Sequence, residues 1–146
     1  MVAKDLDTDQ IAATLRLSIG LLLRRIRQIP TGDELTLSES AALARLDRGG
    51  PATSAALARL EQISPQSMGA TLAALEARGL VERAPDPEDG RRVILSITDA
   101  GLSVLRDRRN ARTERLAQAL STGFARDELE QLMAAAPLLE RLAQSI

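Results

Sequence analysis

Gly79-Leu80-Val81-Glu82-Arg83-Ala84-Pro85-Asp86-Pro87-Glu88-Asp89-Gly90-Arg91-Arg92-Val93-Ile94-Leu95-Ser96-Ile97 is the stretch whose reading decides the fold. Its centre, Asp86 to Arg91, is an acidic, turn-forming hexapeptide that runs into Arg91-Arg92. Pro, Asp and Gly reverse a chain, and the flanking runs Gly79 to Arg83 and Val93 to Ile97 have strand composition. The stretch therefore predicts a β-hairpin with a cationic tip.

Upstream, the pattern turns helical. Ser64-Pro65 is a good helix start, because Ser caps and Pro is favoured at the first helical position. Met68, Leu72 and Leu75 form the buried stripe of that helix, and Gly79 is placed to end it. Thr53 can cap a shorter helix before it, with Leu57 and Leu60 turned inward. The link from Glu61 to Ser64 has the length of a helix-turn-helix turn. An earlier helix is predicted from about Ser38 to Asp47, with Leu43 and Leu46 in the core and Gly49-Gly50-Pro51 as its stop. Residues 8 to 28 carry Ile11, Leu15, Ile19, Leu22 and Ile26 on one face, and Pro30-Thr31-Gly32-Asp33 ends that helix.

Downstream, Thr98-Asp99-Ala100-Gly101 opens a long helix to about Leu120, with Leu102, Leu105, Leu116 and Leu120 apolar, broken by Ser121-Thr122-Gly123. A last helix is predicted from Arg126 to Gln144 with Leu129, Leu132, Met133, Leu139 and Leu142 apolar. Pro137 lies inside it and cannot donate to the Met133 carbonyl, which predicts a kink or break. The first and last helices find no partner in the middle of the chain, so pairing with a second copy is the economical way to bury their stripes. The fold class read from this order is mainly α with a small β-hairpin wing: a winged helix-turn-helix with N- and C-terminal dimerisation helices. Residues 1–35 would form the N-terminal dimerisation helix, 36–98 the winged helix-turn-helix and 99–146 the C-terminal dimerisation helices, all in one intertwined domain.

Composition removes whole classes of function. The 146 residues include no Cys, His, Trp or Tyr and one Phe, Phe124, and the net charge is -1. A structural zinc site, thiol redox sensing and a His-assisted nucleophile all lose their chemistry. No paired carboxylates suggest an enzyme, and Asp86, Glu88 and Asp89 beside two arginines fit a turn or ion pair better than a cation site. No cofactor or metal is expected. Aromatic platforms for single-stranded nucleic acid are missing. No apolar run approaches the ~20 residues of a membrane span, and Met1 to Asp7 lacks a signal-peptide core, so a soluble cytoplasmic protein is expected. Any nucleic-acid role must rest on local cationic clusters.

With these residues in view, the chain resembles the MarR family of winged helix-turn-helix regulators. The helix-turn-helix from Thr53 to Gly79, the run Gly79 to Arg83, the wing Asp86 to Arg91, and Leu95-Ser96-Ile97-Thr98-Asp99-Ala100-Gly101 carry the likeness. The last matches the family's Leu-Thr-x-x-Gly segment with Ile97 in the Leu place. The resemblance implies a homodimeric transcriptional regulator of double-stranded DNA. Its terminal helices would interlock, and its half-sites would lie about one helical turn (~10 bp) apart. It also implies a recognition helix in the major groove and a wing in the minor groove, with Asp89 orienting Arg91. Repression relieved by a small anionic or aromatic effector is the further implication.

The candidate DNA-contacting residues are Thr53, Ser64, Gln66, Ser67, Ala70, Gly90, Arg91 and Arg92. Gln66 can pair bidentately with adenine, and small residues allow close approach to a thymine methyl. The chain departs from the family where the recognition helix often carries Arg or Lys. Here it has Gly69, Ala70, Ala73 and Ala74, which shifts the expected weight onto the wing and phosphate contacts. Arg106, Arg108, Arg109, Arg112 and Arg115 crowd the long helix, and Arg108, Arg109 and Arg112 are the candidate anion or ligand site, with a solvated helix face as the plain alternative. A second reading of the whole chain stays open at this stage: a winged-helix protein-interaction module with weak or no sequence-specific DNA binding.

Overall fold

The computed structural model describes residues 5–146, so the reading of the chain start at Met1 to Lys4 lies outside them. The elements are α1 (Thr8–Arg27), α2 (Leu37–Gly49), α3 (Ser54–Glu61), α4 (Pro65–Ala77), β1 (Val81–Pro85), β2 (Val93–Ile97), α5 (Asp99–Gly123) and α6 (Arg126–Gln144). They form two compact units: residues 31–110, and residues up to 30 together with 111–146. The first turns of α5 belong to the winged-helix unit, where Leu105 is buried in its core.

That core is built from Leu43 and Leu46 of α2, Leu57 and Ala58 of α3, Met68, Leu72 and Leu75 of α4, Leu80, Val81, Leu95 and Leu105. Helices α2, α3 and α4 each start with a cap that satisfies an otherwise orphaned amide. Thr36 accepts from Glu39 N–H, Thr53 from Ala56 N–H and Ser64 from Ser67 N–H. The turn between α3 and α4 places Gln62 in the left-handed region, φ 55°. At the end of α4, Leu80 N–H donates to Leu75 O and Gly79 N–H to Glu76 O, a Schellman closure that needs the positive φ of Gly79, 72°. Gly79 is thus spent on the cap, and β1 starts two residues later than the strand composition suggested.

The sheet is an antiparallel pair with Val81 opposite Ile97 and Pro85 opposite Val93. Ala52, just before α3, adds a single bridge to Leu95.

Three expectations from the sequence are corrected. Leu60 does not face the core; it is 54% exposed. The buried face of α3 runs through the adjacent residues Leu57 and Ala58, and at 100° per residue Leu60 lies roughly 200° from Ala58. Ser121 and Thr122 do not break α5, because their hydroxyls donate back to Gln118 O and the helix continues to Gly123. Of the kink or break expected at Pro137, the break does not occur: α6 is continuous from Arg126 to Gln144. Met133, whose carbonyl loses its intrahelical donor, is 78% exposed, so water can serve that carbonyl.

In the other unit, neither α1 nor α6 contains a buried residue. Leu17, Leu21, Leu22 and Leu23 of α1 and Leu132, Met133, Leu138 and Leu142 of α6 are exposed.

Candidate nucleic-acid interface

The recognition helix by position is α4. At its start the Ser64 hydroxyl accepts the Ser67 amide at 3.0 Å and lies 2.9 Å from the Ser67 hydroxyl. Ser64 therefore caps the helix, while Gln66, Ser67 and Ala70 stand exposed beyond it, as do Ala73 and Ala74. This outer face offers one amide and a hydroxyl among small residues, and no charge. A methyl added at Gly69 meets nothing within 4 Å. Gly69→Ala should therefore raise unfolding stability by ~1 kcal/mol through helix propensity alone, measured by urea denaturation.

The wing tip is held by its own acids. Asp86 N–H donates to Arg92 O at 2.9 Å, the Asp86 carboxylate accepts Glu88 N–H at 2.9 Å, and the Asp89 carboxylate accepts Arg91 N–H at 3.1 Å. Both aspartates close side-chain-to-backbone turns that fix the loop. Asp89 thus contacts Arg91 through the backbone, whereas its side-chain ion pair is with Arg92, Nε to Oδ2 at 3.8 Å. The Arg91 guanidinium is exposed and has no ion pair among the described residues. Gly90 is exposed beside it.

The wing is anchored at two points. Ala52 and Leu95 exchange backbone hydrogen bonds of 3.1 and 2.8 Å, tying the start of α3 to β2. Thr98 donates its hydroxyl to Gly79 O at 2.6 Å and accepts Gly101 N–H at 3.1 Å, joining the end of α4, the end of the hairpin and the start of α5. Thr53 lies at the first anchor, with its side chain engaged in capping α3.

Two of the candidate anion-site residues are held by carboxylates. Arg108 is buried and donates through Nη1 to Asp33 at 2.7 Å and to Thr31 at 2.9 Å. Arg109 pairs with Asp47 at 3.0 Å. Burial of Arg108 demands the countercharge that Asp33 in loop 31–35 supplies, whereas Arg109 is exposed and its pair with Asp47 is a surface contact of small worth. Arg112, one turn beyond Arg108, is half-buried.

Sorting the cations explains how a chain of net charge -1 can present a basic edge. Arg45 pairs with Glu61, Arg78 with Glu39 and Arg83 with Glu76. Carboxylates thus neutralise these arginines, while Arg48, Arg59, Arg91 and Arg106 of the same unit have no ion pair among the described residues. Arg59 carries no sequence signal of its own; only the Ala52–Leu95 bridge brings its short helix beside the wing. No cluster of acidic residues able to hold a metal exists among the described residues, and none of their helices is long and apolar enough to cross a membrane.

Comparison with known proteins agrees with this geometry. A family model described as the MarR family matches residues 34–92. An uncharacterized HTH-type transcriptional regulator of Mycobacterium bovis, Mb0904, is 38% identical over 135 residues, covering 92% of this chain and 94% of its own. The crystal structure of a transcriptional regulator protein from Pseudomonas aeruginosa superposes with a TM-score of 0.80 at 34% identity, over 92% of this chain and 94% of that one. A mutant of S. aureus MepR, bound to an oligodeoxyribonucleotide, shares the fold at a TM-score of 0.67 and 20% identity, over 93% of this chain and 98% of that one.

Proposed function

This chain belongs to the MarR family of transcriptional regulators, and from that premise we propose that it is a homodimeric repressor. It would bind a roughly palindromic operator and release it in response to a small effector. The observation that carries the DNA reading is the wing: a braced tip that leaves the Arg91 guanidinium exposed and unpaired, next to a capped, sterically open helix α4. A guanidinium in a minor groove responds to groove width and potential, which suits a protein whose recognition helix offers few donors.

The dimer is supported by the apolar faces of α1 and α6. Contiguous exposed leucines of this kind mark an interface. Two copies related by a two-fold axis carry two wings, hence a palindrome with half-sites about one helical turn apart. A dimer seated on a promoter blocks it by bulk, which makes repression the simplest output. Effector control is supported by a cavity of about 430 Å³ bordered by Leu22, Ile26, Leu116, Arg25 and Arg115, a size and chemistry suited to a small organic anion. Such a ligand acts only through different affinities for the DNA-competent and incompetent dimers.

The test is a titration of labelled duplex from the protein's own upstream region at two salt concentrations. Binding should weaken steeply with salt. Arg91→Ala should weaken it roughly tenfold to a hundredfold, the worth of a charge-assisted contact, without lowering Tm. Asp89→Ala should weaken it less, by loosening the tip. Absence of binding at low salt, or binding indifferent to salt, would overturn the DNA reading.

A further inference from the structure

A crevice of about 470 Å³ opens between α3, from its cap to Arg59 in its last turn, and the start of β2, bordered by Thr53, Ser54, Arg59, Arg92 and Val93. Its walls are held in register by the two backbone hydrogen bonds between Ala52 and Leu95, so the helix and the strand cannot drift apart independently. Its chemistry has one sign. Two guanidiniums and two hydroxyls border it, and no carboxylate does. Arg59 is exposed with no ion pair among the described residues, and Arg92 is held only at 3.8 Å by Asp89. Thr53 uses its oxygen to accept from Ala56 N–H, which leaves its hydroxyl proton free to donate. Arg45, Arg78, Arg83, Arg108 and Arg109 of this unit are each held by a carboxylate, whereas Arg59 joins Arg48, Arg91 and Arg106 in having no ion pair among the described residues; what sets the crevice apart is that two guanidiniums border it and no carboxylate does.

We propose that this crevice is a clamp for one phosphodiester of the DNA backbone, gripped by Arg59 from the helix side and Arg92 from the wing side. Arg59 is then a positioning residue for the wing. The inference rests on the DNA reading above and extends it. Arg92 is contiguous with Arg91, so an anion in the crevice lies beside whatever strand the wing tip meets. A phosphate held from both α3 and β2 fixes the register of the wing relative to α4, a task the uncharged outer face of α4 cannot perform. Such a contact positions without reading sequence.

The experiment compares wild type, Arg59→Ala, Arg59→Lys and Arg91→Ala on a labelled duplex of arbitrary sequence and on the upstream duplex, across a roughly fourfold range of salt, about 50 to 200 mM. One phosphate contact contributes about 3.5-fold to the loss of affinity over that range. Arg59→Ala should remove this factor for each lobe engaged, equally on both duplexes, with Tm unchanged, and Arg59→Lys should restore most of it. If Arg91→Ala weakens binding but Arg59→Ala leaves affinity and salt slope untouched, the clamp is overturned while the DNA reading stands. If wild type binds neither duplex at low salt, both fall. If millimolar inorganic phosphate raises the Tm of wild type but not of Arg59→Ala while the salt slopes coincide, the crevice holds a free anion and the clamp is overturned.

Discussion

Gly101→Ala lowers the unfolding free energy by about 1–3 kcal/mol, whereas the same substitution at Gly69 raises it. Both glycines are helical, and in open space each would gain ~1 kcal/mol from alanine's helix propensity. Their surroundings reverse the sign. A Cβ at Gly69 meets nothing within 4 Å, but one at Gly101 would stand 2.3 Å from Leu80 O and 2.7 Å from Ile97 Cγ1. The Ile97 side chain can yield; the carbonyl cannot do so cheaply, because Leu80 O already accepts Thr98 N–H at 3.0 Å. Thr98 in turn holds Gly79 O and Gly101 N–H. Relief of the clash therefore pushes α5 off the base of the hairpin and strains three hydrogen bonds at once. At roughly 2–4 °C per kcal/mol for a chain of this size, thermal unfolding resolves the two variants in opposite directions. Because the strain falls on the wing's anchor, Gly101→Ala should also lose DNA affinity at temperatures well below its Tm. A Tm equal to or above wild type would show that α5 does not need this close approach.

The same junction shows why the fold was legible in the sequence. Thr98 to Gly101 could be matched as a segment because capping and close backbone approach admit few residue types. The hairpin, read from its turn residues and strand-forming flanks, and the Met68, Leu72, Leu75 stripe are legible for the same reason: each is a local rule with one outcome. Leu60 does not follow the reading because α3 carries just two leucines, three residues apart, and the buried face turns on Ala58, a small residue that marks no stripe. The partners of Arg108 and Arg109 are illegible in the sequence for a different reason. Asp33 and Asp47 lie more than sixty residues away in sequence, so nothing local distinguishes a cation waiting for a ligand from one already neutralised. Arg59 is the converse case: its meaning comes from the missing carboxylate and from a one-residue β-bridge, neither of which leaves a pattern.

Asp33→Ala should cost about 3–5 kcal/mol, the penalty for leaving a buried cation without its partner. The side chains of Arg108 and Asp33 are 8% and 11% exposed, and Arg108 Nε is buried without a hydrogen-bond partner, so once the carboxylate is gone the guanidinium keeps the neutral Thr31 hydroxyl but no countercharge. Asp33 also orders its own loop: its carboxylate accepts Leu35 N–H at 2.9 Å and the Thr31 hydroxyl at 2.8 Å, beside Glu34, which sits in the left-handed region at φ 59°. Replacing both members of the pair, Asp33→Ala with Arg108→Met, should recover a large part of the loss, because the unpaired charge and not the missing attraction dominates it. The pair also writes a pH signature. Burial pushes the Asp33 carboxyl up, but the Leu35 amide, the Thr31 hydroxyl and Arg108 together outweigh it and hold the group below the ordinary carboxylate range. A carboxylate depressed in the folded state contributes stability that is complete above its unfolded pKa, about 3.9, and is lost as pH falls through the folded value. The stability gap between wild type and Asp33→Asn, measured by urea unfolding, should therefore be constant from about pH 7 to about pH 5 and shrink below about pH 4. A gap that stays constant into strong acid would mean that the Leu35 amide, the Thr31 hydroxyl and Arg108 do not together favour the ionised Asp33 carboxylate in the folded state.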